Sequence, residues 1–442
     1  MGFIREKLTS FRIIILGFAG IIMLGTAILM LPISSADAAV TPFNEALFTA
    51  TSAVCVTGLV VQDTSSHWSV FGQTMILLMI QIGGLGVVTV AASFSLLSGR
   101  KISLVQRSTI QKALSAQKVG EISGLIKFIL KATLTIETAG ALLLMPSFIR
   151  QFGAKGIFMA VFHSVSAFCN AGFDIAGKNN AQFSSLTAYT GNITVNVTVM
   201  LLIIIGGIGF LTWDDVYTNK LRVRHYRMQS KVILITSAVL IVLPALVFFI
   251  IDLKGLPMKE RLLSSLFQSV TARTAGFNTV NLNRMTAAGQ SVLIILMLIG
   301  GSPGSTAGGM KTTTIAVLLS NARACFLQQE DAHFFGRRIE NNAIKTASTL
   351  MTMYTTLCFT GAVIISVAEN IPFYQCLFET SSAIGTVGLT LGITPELGVL
   401  SQSVLIVLMF VGRVGGLTLI YAALKKTNTH ISKLPQETIM VG

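Results

Sequence analysis

Charged side chains are scarce in this chain. Asp, Glu, Lys and Arg make up 11% of its 442 residues, against roughly 25% in soluble globular domains. With 52% hydrophobic residues and a mean hydropathy of +0.74, that scarcity excludes a soluble protein and reads as an integral membrane protein. Apolar runs recur from end to end, so no sizeable soluble domain fits between them, and a soluble catalytic domain is excluded with it. Cysteine is scarce too. None of the five is spaced as CxxC, which excludes a zinc or disulfide framework.

What charge there is has a pattern. The net charge of +14 would point to nucleic acid in a soluble protein. In a membrane protein it reads through the excess of Lys and Arg on cytoplasmic connections. Arg5, Lys7 and Arg12 form one cluster. Seven basic residues follow between Arg100 and Lys131, five between Lys220 and Lys231, four between Arg323 and Lys345, and then Lys425, Lys426 and Lys433. The stretches Pro32–Phe71 and Glu369–Gln402 carry none. This alternation predicts cytoplasmic termini and an even number of spans. The first apolar run, Phe11 to Leu31, has the length of a spanning helix rather than a signal-peptide core. The small residues of "LPISSADAA" behind it keep cleavage as an alternative.

Four copies of one unit run along the chain: apolar helix, short semi-polar segment, glycine turn, second apolar helix. The turns align without gaps as "TSAVCVTGL" (51–59), "VSAFCNAGF" (165–173), "SVTARTAGF" (269–277) and "SSAIGTVGL" (381–389). Glycine fills the eighth place each time, as Gly58, Gly172, Gly276 and Gly388, at separations of 114, 104 and 112 positions. Such self-similarity marks a repeated structural unit. The spacing predicts first helices over 11–31, 122–147, 229–251 and 344–368, and second helices over 72–97, 193–213, 288–323 and 401–424. The segment before each glycine is too short to span a bilayer, so it reads as a re-entrant helix. The expected fold is an all-α integral membrane protein of four tandem helix–re-entrant loop–helix repeats, eight spans in all, around a pseudo-fourfold pore. The repeats are 1–98, 99–220, 221–327 and 328–424, with a cytoplasmic tail over 425–442.

Non-helical backbone at membrane depth must line protein or water. Four such turns around one axis can replace the hydration shell of a cation with carbonyl oxygens. Glycine supplies the backbone angles that a Cβ would hinder, and the preceding short helices aim the negative ends of their dipoles at the axis. The candidate filter residues are Val54, Cys55, Val56, Thr57 and Gly58; Phe168, Cys169, Asn170, Ala171 and Gly172; Ala272, Arg273, Thr274, Ala275 and Gly276; and Ile384, Gly385, Thr386, Val387 and Gly388. Close packing of helices is the competing reading of these glycines. It is preferred for the glycines of the second helices, such as Gly83, Gly84, Gly206, Gly207 and Gly412.

"TSAVCVTGL", "SAFCNAGFD" and "TARTAGFNT" resemble the Trk/Ktr/HKT superfamily of potassium transporters, and KtrB-type bacterial subunits most closely, over nearly the whole chain. The resemblance implies that the four filter glycines coordinate potassium, with a glycine rather than a serine at Gly58 favouring potassium over sodium. It implies a homodimer with one pore per protomer in a bacterial plasma membrane. It also implies a cytosolic KtrA-like regulatory ring that binds ATP or ADP, so nucleotide acts only through that partner. No covalent cofactor and no nucleic acid are expected, and sodium is a candidate activator.

"GGSPGSTAGGMKTTT" (300–314) looks like a phosphate loop, but Met310 separates Gly309 from Lys311, where a P-loop has its lysine directly after the glycine. Such a stretch does not continue a regular helix. The other three second helices are expected to run on without a break. The stretch therefore reads as a gate below the filter, over 300–312, built from Gly300, Gly301, Ser302, Pro303, Gly304, Ser305, Thr306, Ala307, Gly308, Gly309 and Lys311; a static kink is the alternative. Arg413, a lone cation mid-span, is costly there unless it faces carbonyls or an acid. It is expected to touch the gate loop and oppose cations. Structural glue between repeats is its competing role. Arg273 is expected to point behind the filter and pair with Glu379 or Glu45. Asp63 and Asp174 are candidate cation attractors or ordinary loop charges, and His163 and Glu137 are expected to be satisfied inside the bundle. A potassium-selective permeation subunit is the leading function. A sodium- or proton-coupled symporter is the alternative, and it would want carboxylates that the filter turns lack. The failed phosphate loop and the lack of a soluble catalytic domain argue against a third reading, a membrane-bound ATP-hydrolysing enzyme.

Overall fold

The computed structural model describes residues 10–97, 109–111, 122–177, 182–220, 222–423 and 437. Arg5, Lys7, most of the basic stretch after Arg100, and the expected tail with Lys425, Lys426 and Lys433 lie outside the described residues. Helices dominate. α1 (Ser10–Leu29), α2 (Phe43–Val54), α3 (Val70–Leu85) and α4 (Val87–Leu97) come first. Next are α5 (Ile122–Phe152), α6 (Lys155–Phe168), α7 (Ile193–Ile208) and α8 (Phe210–Asn219). α9 (Met228–Val247) leads through a π-helical turn into α10 (Met258–Thr271), α11 (Ala287–Leu298) and α12 (Thr312–Phe326). A two-stranded hairpin, β1 (His333–Phe334) with β2 (Arg337–Arg338), precedes α13 (Asn341–Glu369), α14 (Phe373–Gly385), α15 (Val399–Val414) and α16 (Gly416–Ala423).

Among the described residues, four helices are long and apolar enough to cross a membrane: those over Phe11–Leu29, Ile122–Phe152, Met228–Asp252 and Asn341–Glu369. Leu134, Leu142, Leu243 and Val367 stand exposed on them. Hydroxyls are inside instead. Ser52, Ser166, Thr271 and Ser382 are buried at the centre of the molecule. This apolar outside suits lipid.

The short helices α2, α6, α10 and α14 have 12, 14, 14 and 13 residues. At 1.5 Å per residue they reach about 18 to 21 Å, well short of a ~30 Å hydrocarbon core. Each lies against the helix before it: α2 on α1, α6 on α5, α10 on α9, α14 on α13. The helix that follows each one packs on the next short helix along: α3 on α6, α7 on α10, α11 on α14 and α15 back on α2. The chain thereby closes into a ring of elements.

The expectation that only the third such helix is interrupted is corrected. α3 and α4 meet at 95° and α7 and α8 at 96°. Gly86 and Gly209 form the corners with φ of +85° and +102°, and Gly415 with φ of +88° separates α15 from α16. One glycine with positive φ suffices to turn the chain, because no Cβ opposes that conformation. The third case differs in degree: thirteen non-helical residues, 299–311, part α11 from α12.

Candidate functional site

The four glycine turns begin where α2, α6, α10 and α14 end, and they come together at one place. A Cβ built on Gly58 would meet the carbonyl oxygen of Ala171; on Gly172, that of Ala275; on Gly276, that of Val387; on Gly388, that of Thr57. None of these approaches exceeds 2.6 Å. Each glycine thus abuts the seventh-place residue of the next turn, and the sequence closes on itself. The φ angles are +92°, +69°, +79° and +91°. Both the backbone conformation and the space at these positions require glycine.

A second left-handed residue precedes each glycine by two places. Val56, Asn170, Thr274 and Thr386 have φ of 57°, 59°, 69° and 51°. Asn tolerates this region, but β-branched Val and Thr do so at a cost of order 1–3 kcal/mol. Alternating left-handed residues reverse the peptide direction twice within each turn. The sequence gives no signal for this, since β-branched residues argue against it.

Buried hydroxyls hold the turns, and sequence reasoning missed them. Ser52 and Ser382 accept the amides of Gly58 and Gly388, each at 3.0 Å. Ser166 and Thr271 donate to the carbonyls of Phe173 and Phe277 at 2.7 and 2.6 Å. Behind the fourth turn, Glu379 accepts from Thr390 Oγ1 (2.6 Å), the Leu391 amide (2.9 Å) and Thr394 Oγ1 (2.7 Å). His163, at the matching place of the second turn, donates from Nδ1 to Met159 O at 2.7 Å, and its Nε2 accepts from the Ile175 amide at 3.5 Å.

Arg273 does point behind its turn, but the expected acid is absent. Its Nη2 donates to Ser237 Oγ on α9 at 3.1 Å and its Nη1 to Ser237 O at 3.5 Å, while Glu379 is occupied as above and Glu45 accepts from Gln62 Nε2. Asp63 is likewise committed to Ser65, Ser66 and the Phe183 amide. Glu137 is buried on α5, with Oε1 4.0 Å from Cys169 Sγ.

The 299–311 loop lies directly against these turns. Thr306 Oγ1 sits 3.1 Å from both Phe168 O and Asn170 Oδ1. The Gly309 amide donates to Gly412 O at 3.1 Å, and a Cβ on Gly308 would collide with Thr386 Oγ1. Backbone bonds join Ser302 to Gly207 (3.0 Å) and Phe210 to Gly304 (2.8 Å). Lys311 Nζ donates to Ala307 O (2.8 Å) and Gly308 O (3.2 Å), so this lysine fastens the loop to itself. Arg413 reaches across: Nη1 donates to Thr306 O, and Nη2 to Gly83 O and, at 3.0 Å, to Gly84 O. A cation is thereby satisfied by three carbonyls.

Two cavities flank the turns. One of about 810 Å³ is lined by Gly276, Asn278, Gly388 and Thr390. The other, about 440 Å³, is lined by Gly304, Lys311, Arg413 and the bends at Gly86 and Gly415. The 299–311 loop stands between the glycine ring and this second cavity.

A family model described as TrkH, cation transport protein, matches residues 9–433. The chain is 40% identical over 451 residues to the potassium/sodium uptake protein NtpJ of Enterococcus hirae, covering 99% of this chain and 98% of that one. It is 37% identical over 445 residues to the Ktr system potassium uptake protein B of Bacillus subtilis, covering 99% and 97%. The crystal structure of the potassium transporter TrkH from Vibrio parahaemolyticus superposes with a TM-score of 0.74 at 18% identity, over 95% of this chain and 86% of that one, a likeness of fold. With four closing glycine turns and a family match over nearly its whole length, the chain belongs to the TrkH family of cation transport proteins, membrane transporters rather than enzymes.

Proposed function

We propose that the chain is the potassium-selective translocating subunit of a bacterial potassium uptake system. The observation that carries this reading is the ring of Gly58, Gly172, Gly276 and Gly388, each against a seventh-place carbonyl of its neighbour. Main-chain oxygens of turns that buried hydroxyls fix at their edges offer a dehydrating cation ligands without any carboxylate. Potassium, for which both relatives are named, the Enterococcus hirae protein together with sodium, is the substrate.

Eight spans then surround the ring with pseudo-fourfold symmetry, counting each bent or broken pair as one span. The four units are 1–98, 99–220, 221–327 and 328–424. Both termini are cytoplasmic, and the 810 Å³ cavity faces outward. The 299–311 loop is the gate, with Arg413 holding it shut and opposing cations beneath the ring. Two copies form a homodimer on a cytosolic KtrA-like ring that brings ATP or ADP control. The second reading is a sodium- or proton-coupled symporter; it is favoured by the place of Glu137, a carboxylate 4.0 Å from Cys169 in the second turn.

The test is potassium uptake into liposomes by the wild type and Gly276→Ser, with and without sodium. Loss of potassium preference in the variant is expected, since φ at this residue is +79° and a Cβ has no room. Equal, equally selective uptake by both would overturn the ring's assignment. Uptake that follows the potassium gradient alone separates permeation from coupled symport.

A further inference from the structure

The 299–311 loop does more than lie in the way. Its one side chain bonded to a glycine turn is Thr306, among the described residues, and the partner it meets is Asn170. Asn170 is buried, holds a left-handed conformation, and stands two residues before Gly172. Its Nδ2 lies 3.5 Å from Thr274 Oγ1, the matching residue of the next turn. The Thr306 hydroxyl also reaches the Phe168 carbonyl at the end of α6, and its amide donates to Gly206 O at 3.3 Å. A bonded path therefore runs from loop to second turn to third turn: Thr306, Asn170, Thr274. Swinging the loop aside removes the Asn170 Oδ1 partner and one partner of Phe168 O.

We infer that Asn170 is a positioning residue through which the loop sets the ion preference of the glycine ring, so that gate and filter act as one hydrogen-bonded unit. The inference rests on the permeation reading above. A left-handed Asn with its amide anchored keeps one backbone orientation. Released, it is free to turn, and the neighbouring carbonyls of Ala171 and Gly172 turn with it. A buried neutral hydrogen bond contributes ~0.5–1.5 kcal/mol, enough to change an equilibrium ratio by about 2- to 12-fold.

The experiment measures the potassium-to-sodium flux ratio of the full-length protein in liposomes. Thr306→Val keeps the shape and loses the hydroxyl; it is expected to shift the ratio about 2- to 12-fold. Thr306→Ser keeps the hydroxyl and is expected to restore it. Ser305→Ala is the control on the same loop, because among the described residues the Ser305 hydroxyl bonds Ser302 O at 2.7 Å and no glycine turn. It is expected to leave the ratio unchanged whatever it does to total flux. Asn170→Gly keeps the left-handed backbone and removes the side chain. It approaches the question from the other side should Thr306→Val not assemble, and it should shift the ratio as well. Combined with Thr306→Val, it should add nothing further. An unchanged ratio in Thr306→Val or in Asn170→Gly, with the wild type selective for potassium, overturns the coupling alone. A wild type that passes potassium and sodium alike overturns the permeation reading beneath it.

Discussion

Arg273 sets the problem of the single residue in this molecule. Its guanidinium is buried beside the third glycine turn; among the described residues one serine on α9 takes both terminal nitrogens, no acid bonds it, and Nε is left without a partner. Removing that hydroxyl leaves a buried charge short of a partner, which costs about 1–3 kcal/mol. Ser237→Ala should therefore lower the melting temperature of the purified protein while leaving its ion preference intact. An unchanged melting temperature would show that water or lipid replaces the serine. The glycines of the turns were legible in the sequence, because a missing side chain is a visible demand for space and for positive φ. The left-handed Val56, Thr274 and Thr386 were not, because their side chains prefer the opposite. The partner of Arg273 was illegible for another reason. Opposite charge is what a sequence suggests, and the fold supplied a helix with a hydroxyl.

At the scale of elements, the helical class could be read from the apolar runs, and the short helices before the glycines from their length. The breaks at Gly86, Gly209 and Gly415 were hidden, since a glycine inside an apolar run barely alters hydropathy, yet at Gly86 and Gly209 it turns the helix through about a right angle. The 299–311 loop was visible as composition, but its seat was not. Arg413 ties the loop's Thr306 to Gly83 and Gly84 at the end of α3, across more than three hundred residues. Arg413→Ala removes the charge and the tether together. Potassium flux should rise by roughly tenfold or more, the weight of a charge-assisted hydrogen bond, with Arg413→Lys between the two. Flux identical to wild type would sink the gating role and leave Arg413 as glue between α15 and α3.

For the whole molecule the open matter is which face meets the cytoplasm. Charge asymmetry gives an answer that the five cysteines allow to be checked. Cys55, Cys169, Cys358 and Cys376 are buried, and Cys325, near the end of α12, is exposed. An impermeant maleimide should label the chain at one position, in inside-out vesicles and not in right-side-out ones. Labelling from the outside would invert the orientation and exchange the roles of the two cavities.

The closure of the ring by one chain has a consequence of its own. An assembly of identical subunits changes all four walls of its opening with every mutation. Here each wall is written separately: Val56, Asn170 and the two threonines Thr274 and Thr386 occupy matching places with three chemistries between them, and the third turn takes its hydroxyl from Thr271, one place later than the serines of its siblings. On the permeation reading proposed above, selection can edit one quarter of the ring while three quarters stay as they are. Ion preference in such a protein can drift by small instalments, and laboratory evolution from potassium toward sodium should find graded, asymmetric intermediates instead of a single leap.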